Sequence, residues 1–226
     1  MLKIFLASMM LIQSSSAPAQ DPAGGQEKFL RVPVSGLVAF TPERAPETEA
    51  LIRSNLLHDP HSPRIGAQEP ALTLVCFTDY NGKDRKALDA KLHSLLARYP
   101  KLAVTYKLNP APFQPLNPAR MSLTMWESEP DKFDAFHQAL MRYQGVLDDY
   151  SIRRTVRDVG GHIYQISPEA THTLASNKAL MKQLHITHTP ATLVGETVFW
   201  GDVPFDELES AVKRELKDKA SSGSYS

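Results

Sequence analysis

Leu72-Thr73-Leu74-Val75-Cys76-Phe77-Thr78-Asp79-Tyr80-Asn81 runs directly into Gly82-Lys83-Asp84-Arg85-Lys86. The first part is apolar and β-rich, the composition of a buried strand, and it stops at the turn formers around Asn81 and Gly82. Beyond the turn, Ala87, Leu88, Leu92, Leu95 and Leu96 recur at helical spacing. Leu102 to Leu108 then reads as a second strand, and strand, helix, strand at this spacing favours a parallel crossover. Far downstream, Thr189-Pro190 precedes a β-rich run, Ala191-Thr192-Leu193-Val194, followed by the turn Gly195-Glu196, a strand from Thr197 to Trp200 and a helix from Pro204 to Leu216.

Between these β-bearing stretches the signals are helical. After a proline-dense loop from Asn109 to Pro115, Asn117-Pro118 forms a cap and first turn. Met121 to Trp126, Ser128 to Tyr143, Asp148 to Val159 and Ser167-Pro168 to Leu184 then follow without an intervening strand. Together they predict a helical insertion over about 116–184. Upstream, Phe29 to Val34 and Leu37 to Phe40 have strand composition broken by Pro33 and Gly36, and Pro46 to Leu57 reads as a short helix ended by Asp59-Pro60-His61-Ser62-Pro63.

The chain of 226 residues begins Met1-Leu2-Lys3 and continues with the apolar Ile4 to Ile12, a secretory signal too short for a comfortable membrane span. Ala17-Pro18-Ala19 predicts cleavage before Gln20, and no cysteine stands nearby to accept lipid. Residues 1–19 are thus expected to be a signal peptide, 20–58 an N-terminal extension with short strands and a helix, and 217–226 a disordered tail. A periplasmic or secreted protein follows, with no membrane span once the signal is removed. Lys and Arg together number 25, as do Asp and Glu, so the net charge of zero offers no footprint for nucleic acid or anionic lipid. With Cys76 alone, an exported chain has no internal disulfide and must be held by packing.

Asp79-Tyr80-Asn81 closing a strand ahead of a helix, Thr189-Pro190 ahead of Ala191 to Val194, and Phe133-Asp134-Ala135-Phe136-His137-Gln138-Ala139-Leu140 within the helical segment resemble the DsbA-like branch of the thioredoxin family. The resemblance covers about 59–216 and implies an α/β, thioredoxin-like fold with a helical insertion. Asp59-Pro60-x-Ser62-Pro63 also resembles exported members of the ScsC and Com1 type. In some of those a helical oligomerisation stalk precedes the domain. Here prolines interrupt the leader, and self-association is left open.

In the family, Asp-Tyr-Asn commonly leads into Cys-x-x-Cys, and a cis Thr-Pro faces that motif. Gly82 and Arg85 align with the two cysteine positions, so the resemblance is to an oxidoreductase without its reactive atoms. By the same resemblance Cys76 aligns with a position where many members hold a buried acid that assists proton transfer. A cysteine at a helix N-terminus has its thiolate stabilised by unpaired N–H groups and the helix dipole. In this chain Asn81 is expected to cap the helix, with Asp84 three residues on, much like a capping box. Cys76, inside an apolar strand, is expected to be buried and inert.

The expected function is therefore non-covalent binding of a polypeptide in the exported compartment, as a chaperone, adaptor or assembly factor. No catalytic residue, metal or cofactor is assigned. Gly82, Lys83, Asp84, Arg85, His188, Thr189 and Pro190 are the candidate peptide-binding residues, with Lys83 and Arg85 putting positive charge where a thiolate would be. The backbone beside a family cis-proline pairs with extended peptides as an added strand. One alternative is a thiol:disulfide oxidoreductase-type enzyme using Cys76 alone. Another is copper or zinc binding through His58 and His61 or His185 and His188, whose spacing suits a shared metal on a helix but whose setting is a turn. No nucleophile elbow or phosphate loop is present. Trp126, Phe133, Phe136 and Tyr143 read as core aromatics, and Glu127, Glu129, Asp131 and Asp134 as a solvated acidic face.

Overall fold

The structure is a computed structural model that describes residues 31–33, 46–109 and 117–222. The expected signal peptide, the leader, the Leu37 to Phe40 strand and residues 223–226 lie outside the described residues, as does most of the proline-dense loop. Among the described residues six strands form one mixed sheet. They are β1 (Arg31–Pro33), β2 (Arg64–Gly66), β3 (Leu72–Thr78), β4 (Leu102–Leu108), β5 (Ala191–Val194) and β6 (Thr197–Trp200), in the order β1-β6-β5-β3-β4-β2. β3 and β4 are parallel, as the crossover through α2 (Lys83–Arg98) requires, and every other pairing is antiparallel. Pro33, which has no N–H for a ladder, sits on the edge strand β1.

The alternation along β3 divides the core. Leu72, Leu74 and Cys76 face one hydrophobic cluster with Val104 and Tyr106 of β4, Leu88 and Leu92 of α2 and the helices of the insertion. Val75 and Phe77 face a second cluster containing Ile52 and Leu56 of α1 (Pro46–Leu57), Leu180 and Leu184, and Leu193 of β5. Period-two alternation with both faces buried is what a central strand demands.

The insertion comprises α3 (Pro118–Ser128), a 3-10 turn (Pro130–Lys132), α4 (Phe133–Arg142), α5 (Asp149–Asp158) and α6 (Pro168–Gln183). Its starts were written in the sequence: Asn117, Asp148 and Ser167 each accept a backbone N–H with their side chains. The single helix expected from Ser128 to Tyr143 is instead split, because Pro130 has no N–H to continue α3 and opens a separate turn before Phe133. Phe133 and Phe136 are fully buried core aromatics, while Trp126 and Tyr143 pack partly buried against the same cluster. The last helix, α7 (Phe205–Ser222), runs past Leu216 into the stretch expected to be disordered from 217. Lys217, Lys219 and Ala220 are good helix formers and extend it in solvent.

Candidate functional site

At the carboxyl end of β3 the chain must reverse into α2, and Asp79 organises the turn. Its Oδ1 accepts the Asn81 N–H at 2.7 Å. Gly82 then takes φ 101° and ψ 153° as the N-cap residue, with no side-chain cap hydrogen bond. Asn81 therefore does not cap the helix, and no capping box forms with Asp84. The Asp79 carboxylate supplies the side-chain hydrogen bond one turn earlier, and the glycine conformation replaces a cap side chain. A Cβ at Gly82 would lie 2.8 Å from Arg85 Nη1, so Arg85 covers the position aligned with the first cysteine.

Arg85 also joins this turn to the loop ahead of β5. Its Nε is 2.7 Å from Asp79 Oδ2, and its Nη2 donates to Thr189 Oγ1 at 3.0 Å. Thr189 in turn donates its hydroxyl to Asp79 Oδ2 at 3.1 Å. The Thr189–Pro190 peptide bond is cis. Gly82, Arg85, Thr189 and Pro190 are thus brought together as a strand end, a helix tip and a proline loop. Lys83 and Asp84 are exposed on the first turn of α2. His188 is exposed next to Thr189, its Nδ1 2.8 Å from Thr187 Oγ1 and its ring 6.3 Å from that of Trp200. The expected excess of positive charge is reduced, because Asp79 meets the Arg85 guanidinium within the chain.

Cys76 lies one strand position before Phe77 with 2% of its surface exposed, and its Sγ is 3.9 Å from the Thr192 hydroxyl. Burial, reinforced by the negative charge of Asp89, pushes its thiol up to about 12. A thiolate is disfavoured there at neutral pH.

Asp89 belongs to a buried polar network that the sequence reading missed. Tyr106 donates to Asp89 Oδ1 at 2.8 Å, and His137 Nε2 stands 2.9 Å from the same oxygen. Tyr80 Oη lies 2.8 Å from His137 Nδ1. These contacts fit an imidazole whose Nε2–H donates to Asp89 while Nδ1 pairs with the Tyr80 hydroxyl. His93 extends the network outward, with Nε2 3.1 Å from Asp134 Oδ1 and Nδ1 3.3 Å from Asp89 Oδ2. Asp134 is consequently not a merely solvated acid. A buried carboxylate near Cys76 is present after all, supplied by α2 and not by β3. The signal was a polar residue inside an apolar stripe: Asp89 adjoins Leu88 and precedes Leu92, and His137 adjoins Phe136.

Among the described residues no group of three His, Cys, Asp or Glu side chains is arranged to hold a metal. None of the described helices is long and apolar enough to cross a membrane.

Residues 77–213 match the model of the DSBA-like thioredoxin domain. A periplasmic thioredoxin-like protein from Salmonella enterica serovar Typhimurium is 36% identical, with a TM-score of 0.71 over 78% of this chain and 99% of that one. The catalytic domain of Proteus mirabilis ScsC is 34% identical, with a TM-score of 0.70 over 77% of this chain and 99% of its own. The thiol-disulfide exchange protein alpha-DsbA2 from Wolbachia pipientis shares the fold at 19% identity, with a TM-score of 0.67 over 76% of this chain and 99% of that one. A search of curated proteins gives no match.

Proposed function

We propose that this chain, which belongs to the DsbA-like thioredoxin family, is an exported member that has given up thiol–disulfide exchange and binds extended polypeptides non-covalently. The family generally carries thiol–disulfide oxidoreductase function, which requires a reactive cysteine at the helix tip. Gly82 and Arg85 occupy the aligned positions, and the one thiol of the chain is buried in β3. Export agrees with the expected signal peptide and with the periplasmic relative from Salmonella.

The observation that carries this reading is at Thr189. The residue is half-buried beside the helix tip, and among the described residues no hydrogen bond engages its backbone N–H or C=O. An unpaired donor and acceptor at the end of a sheet are the elements of strand addition, in which main-chain bonds give affinity with little demand on sequence. The Arg85 and Asp79 side chains hold the Thr189 hydroxyl, which fixes the loop and lowers the ordering cost of binding.

The test uses a permanently unfolded, carboxymethylated protein as ligand and reads binding by fluorescence anisotropy. Thr189→Pro, which deletes the N–H, is expected to weaken binding about tenfold. Thr189→Ala, which loses only the hydroxyl, is expected to weaken it less. Equal affinity for wild type and Thr189→Pro rejects the strand-addition reading. Disulfide reduction by the wild type above that of Cys76→Ser rejects the redox-inactive one.

A further inference from the structure

Tyr106 and Lys107 leave β4 on opposite faces of the sheet. Tyr106 enters the Asp89 network, whereas Lys107 reaches a cavity of about 310 Å³ between the end of α1, the turn at 59–62 and α6. That volume lies at the lower end of the roughly 300–1,000 Å³ in which small-molecule sites fall.

We propose that this cavity binds a small zwitterion, an amino-acid-like molecule carrying both a carboxylate and an ammonium group. At one end stands the Lys107 ammonium, whose side chain is 1% exposed. An ammonium carries three donors. Two are placed, on Asp59 Oδ2 at 2.9 Å and Ser62 Oγ at 2.8 Å, and the third has no partner among the described residues. Burial pulls the Lys107 pKa below the ordinary lysine value even though Asp59 opposes it, so the ammonium is under-compensated by the protein's own groups. An incoming carboxylate oxygen supplies the missing acceptor.

The other half of the ligand is matched by acceptors. Asn177, 1% exposed, spends its amide N–H on the Leu108 carbonyl at 2.9 Å, which leaves Oδ1 without a partner among the described residues. Glu169 lines the same cavity from the first turn of α6 with an exposed carboxylate. Asp59 is already engaged by Lys107, the Ser62 hydroxyl and the His61 N–H, so Glu169, whose carboxylate accepts the Ser167 hydroxyl at 3.2 Å, is the acid left to meet an ammonium group.

The rival ligand classes fit less well. Asp59 and Glu169 repel a simple anion, and Lys107 repels a simple cation. Among the described residues no Phe, Tyr or Trp lines the cavity to stack on a sugar ring. The described histidines and carboxylates include no preformed metal set.

The test is calorimetric titration of the full chain with individual L-amino acids, with acetate, ethylamine and glucose as controls. Ser176→Trp places a bulky group in the cavity from an exposed helical position, and Glu169→Gln removes only the charge. At least one amino acid is expected to give saturable heat, with affinity falling about tenfold in Glu169→Gln and binding abolished in Ser176→Trp. No saturable heat from any amino acid up to about 10 mM overturns the proposal. So does undiminished binding in either variant, or equal binding of acetate, ethylamine or glucose. Glu169 and Ser176 are exposed surface positions outside the core, and Glu169→Gln alone decides the matter if the tryptophan variant fails to fold. Peptide binding at Thr189 is measured separately and does not bear on this outcome.

Discussion

Arg85 Nη2 donates to Thr189 Oγ1 at 3.0 Å across 104 residues of chain, and both side chains converge on Asp79 Oδ2. The helix tip and the proline loop, which face each other across the site, are thereby joined by side chains. The family resemblance puts a cysteine where this guanidinium stands.

Replacing Arg85 with Ala is expected to cost about 1–2 kcal/mol, the scale of a charge-assisted hydrogen bond discounted for partial exposure. The discount applies because the ion-paired side chains of Arg85 and Asp79 are 24% and 12% exposed. Urea unfolding measures the loss, and a change smaller than the error of the fit contradicts a joining role. Arg85→Lys should recover only part of it, since a single ammonium lacks the planar fork that reaches two partners.

Installing a Cys-x-x-Cys pair at positions 82 and 85 is not a simple exchange of side chains. Gly82 sits at φ 101°, and its would-be Cβ meets Arg85 Nη1. Gly82→Ala, and the first half of a Gly82→Cys, Arg85→Cys variant, should each destabilise the fold by about 1–3 kcal/mol through backbone strain. Thermal unfolding of Gly82→Ala checks the strain without the complication of a new thiol. A midpoint equal to that of the wild type shows that the turn relaxes freely.

Asp89, its side chain 6% exposed, gathers the buried His137 and Tyr106 and the partly exposed His93. Deleting one member of a buried charged set strands the others, so Asp89→Ala should cost about 3–5 kcal/mol. Denaturant unfolding provides the measurement, and a loss below about 1 kcal/mol shows that the network contributes little beyond packing.

The same network sets the response to pH. Burial alone would lower the His93 pKa, but hydrogen bonds to Asp134 and Asp89 outweigh it and carry the group from 6.5 up to about 10. A raised folded-state pKa gives stability that is complete below 6.5 and lost as pH rises through about 10. Burial would raise the Asp89 pKa, yet the charge and hydrogen bond of His137 hold it well below 3.8. Its contribution is complete above 3.8 and falls away as the solution is acidified through the depressed folded value. Urea midpoints should therefore be highest between 3.8 and 6.5 and decline toward alkaline pH. His93→Gln should flatten the alkaline limb, and an unchanged slope in that variant assigns the decline to other groups.

Cys76 should resist iodoacetamide at pH 8 in the native protein and react promptly in urea, because its thiol is buried and pushed up to about 12. Mass spectrometry of the two samples reads the difference. Stoichiometric modification of the folded protein at the rate of the unfolded one is incompatible with the buried position.

Much of the fold was legible in the sequence because its signals are local. The apolar run Leu72 to Thr78, the leucine spacing of α2 and the caps at Asn117, Asp148 and Ser167 each act within a few residues. The site was half legible. Gly82, Arg85, Thr189 and Pro190 were named, but the partner of the arginine was not, since it depends on how far the turn rotates Asp79. The Asp89–His137 contact spans 48 residues and joins two helices, so no local pattern specifies it. Asn81 was misread as a cap because a glycine in a left-handed conformation leaves no composition signal beyond the glycine itself.

The seclusion of Cys76 has a practical corollary. With its only native sulfhydryl silenced by the sheet, the chain accepts an engineered surface cysteine as its one addressable handle. A fluorophore or spin probe placed beside the proline loop can then report on that loop's surroundings without prior removal of the natural residue.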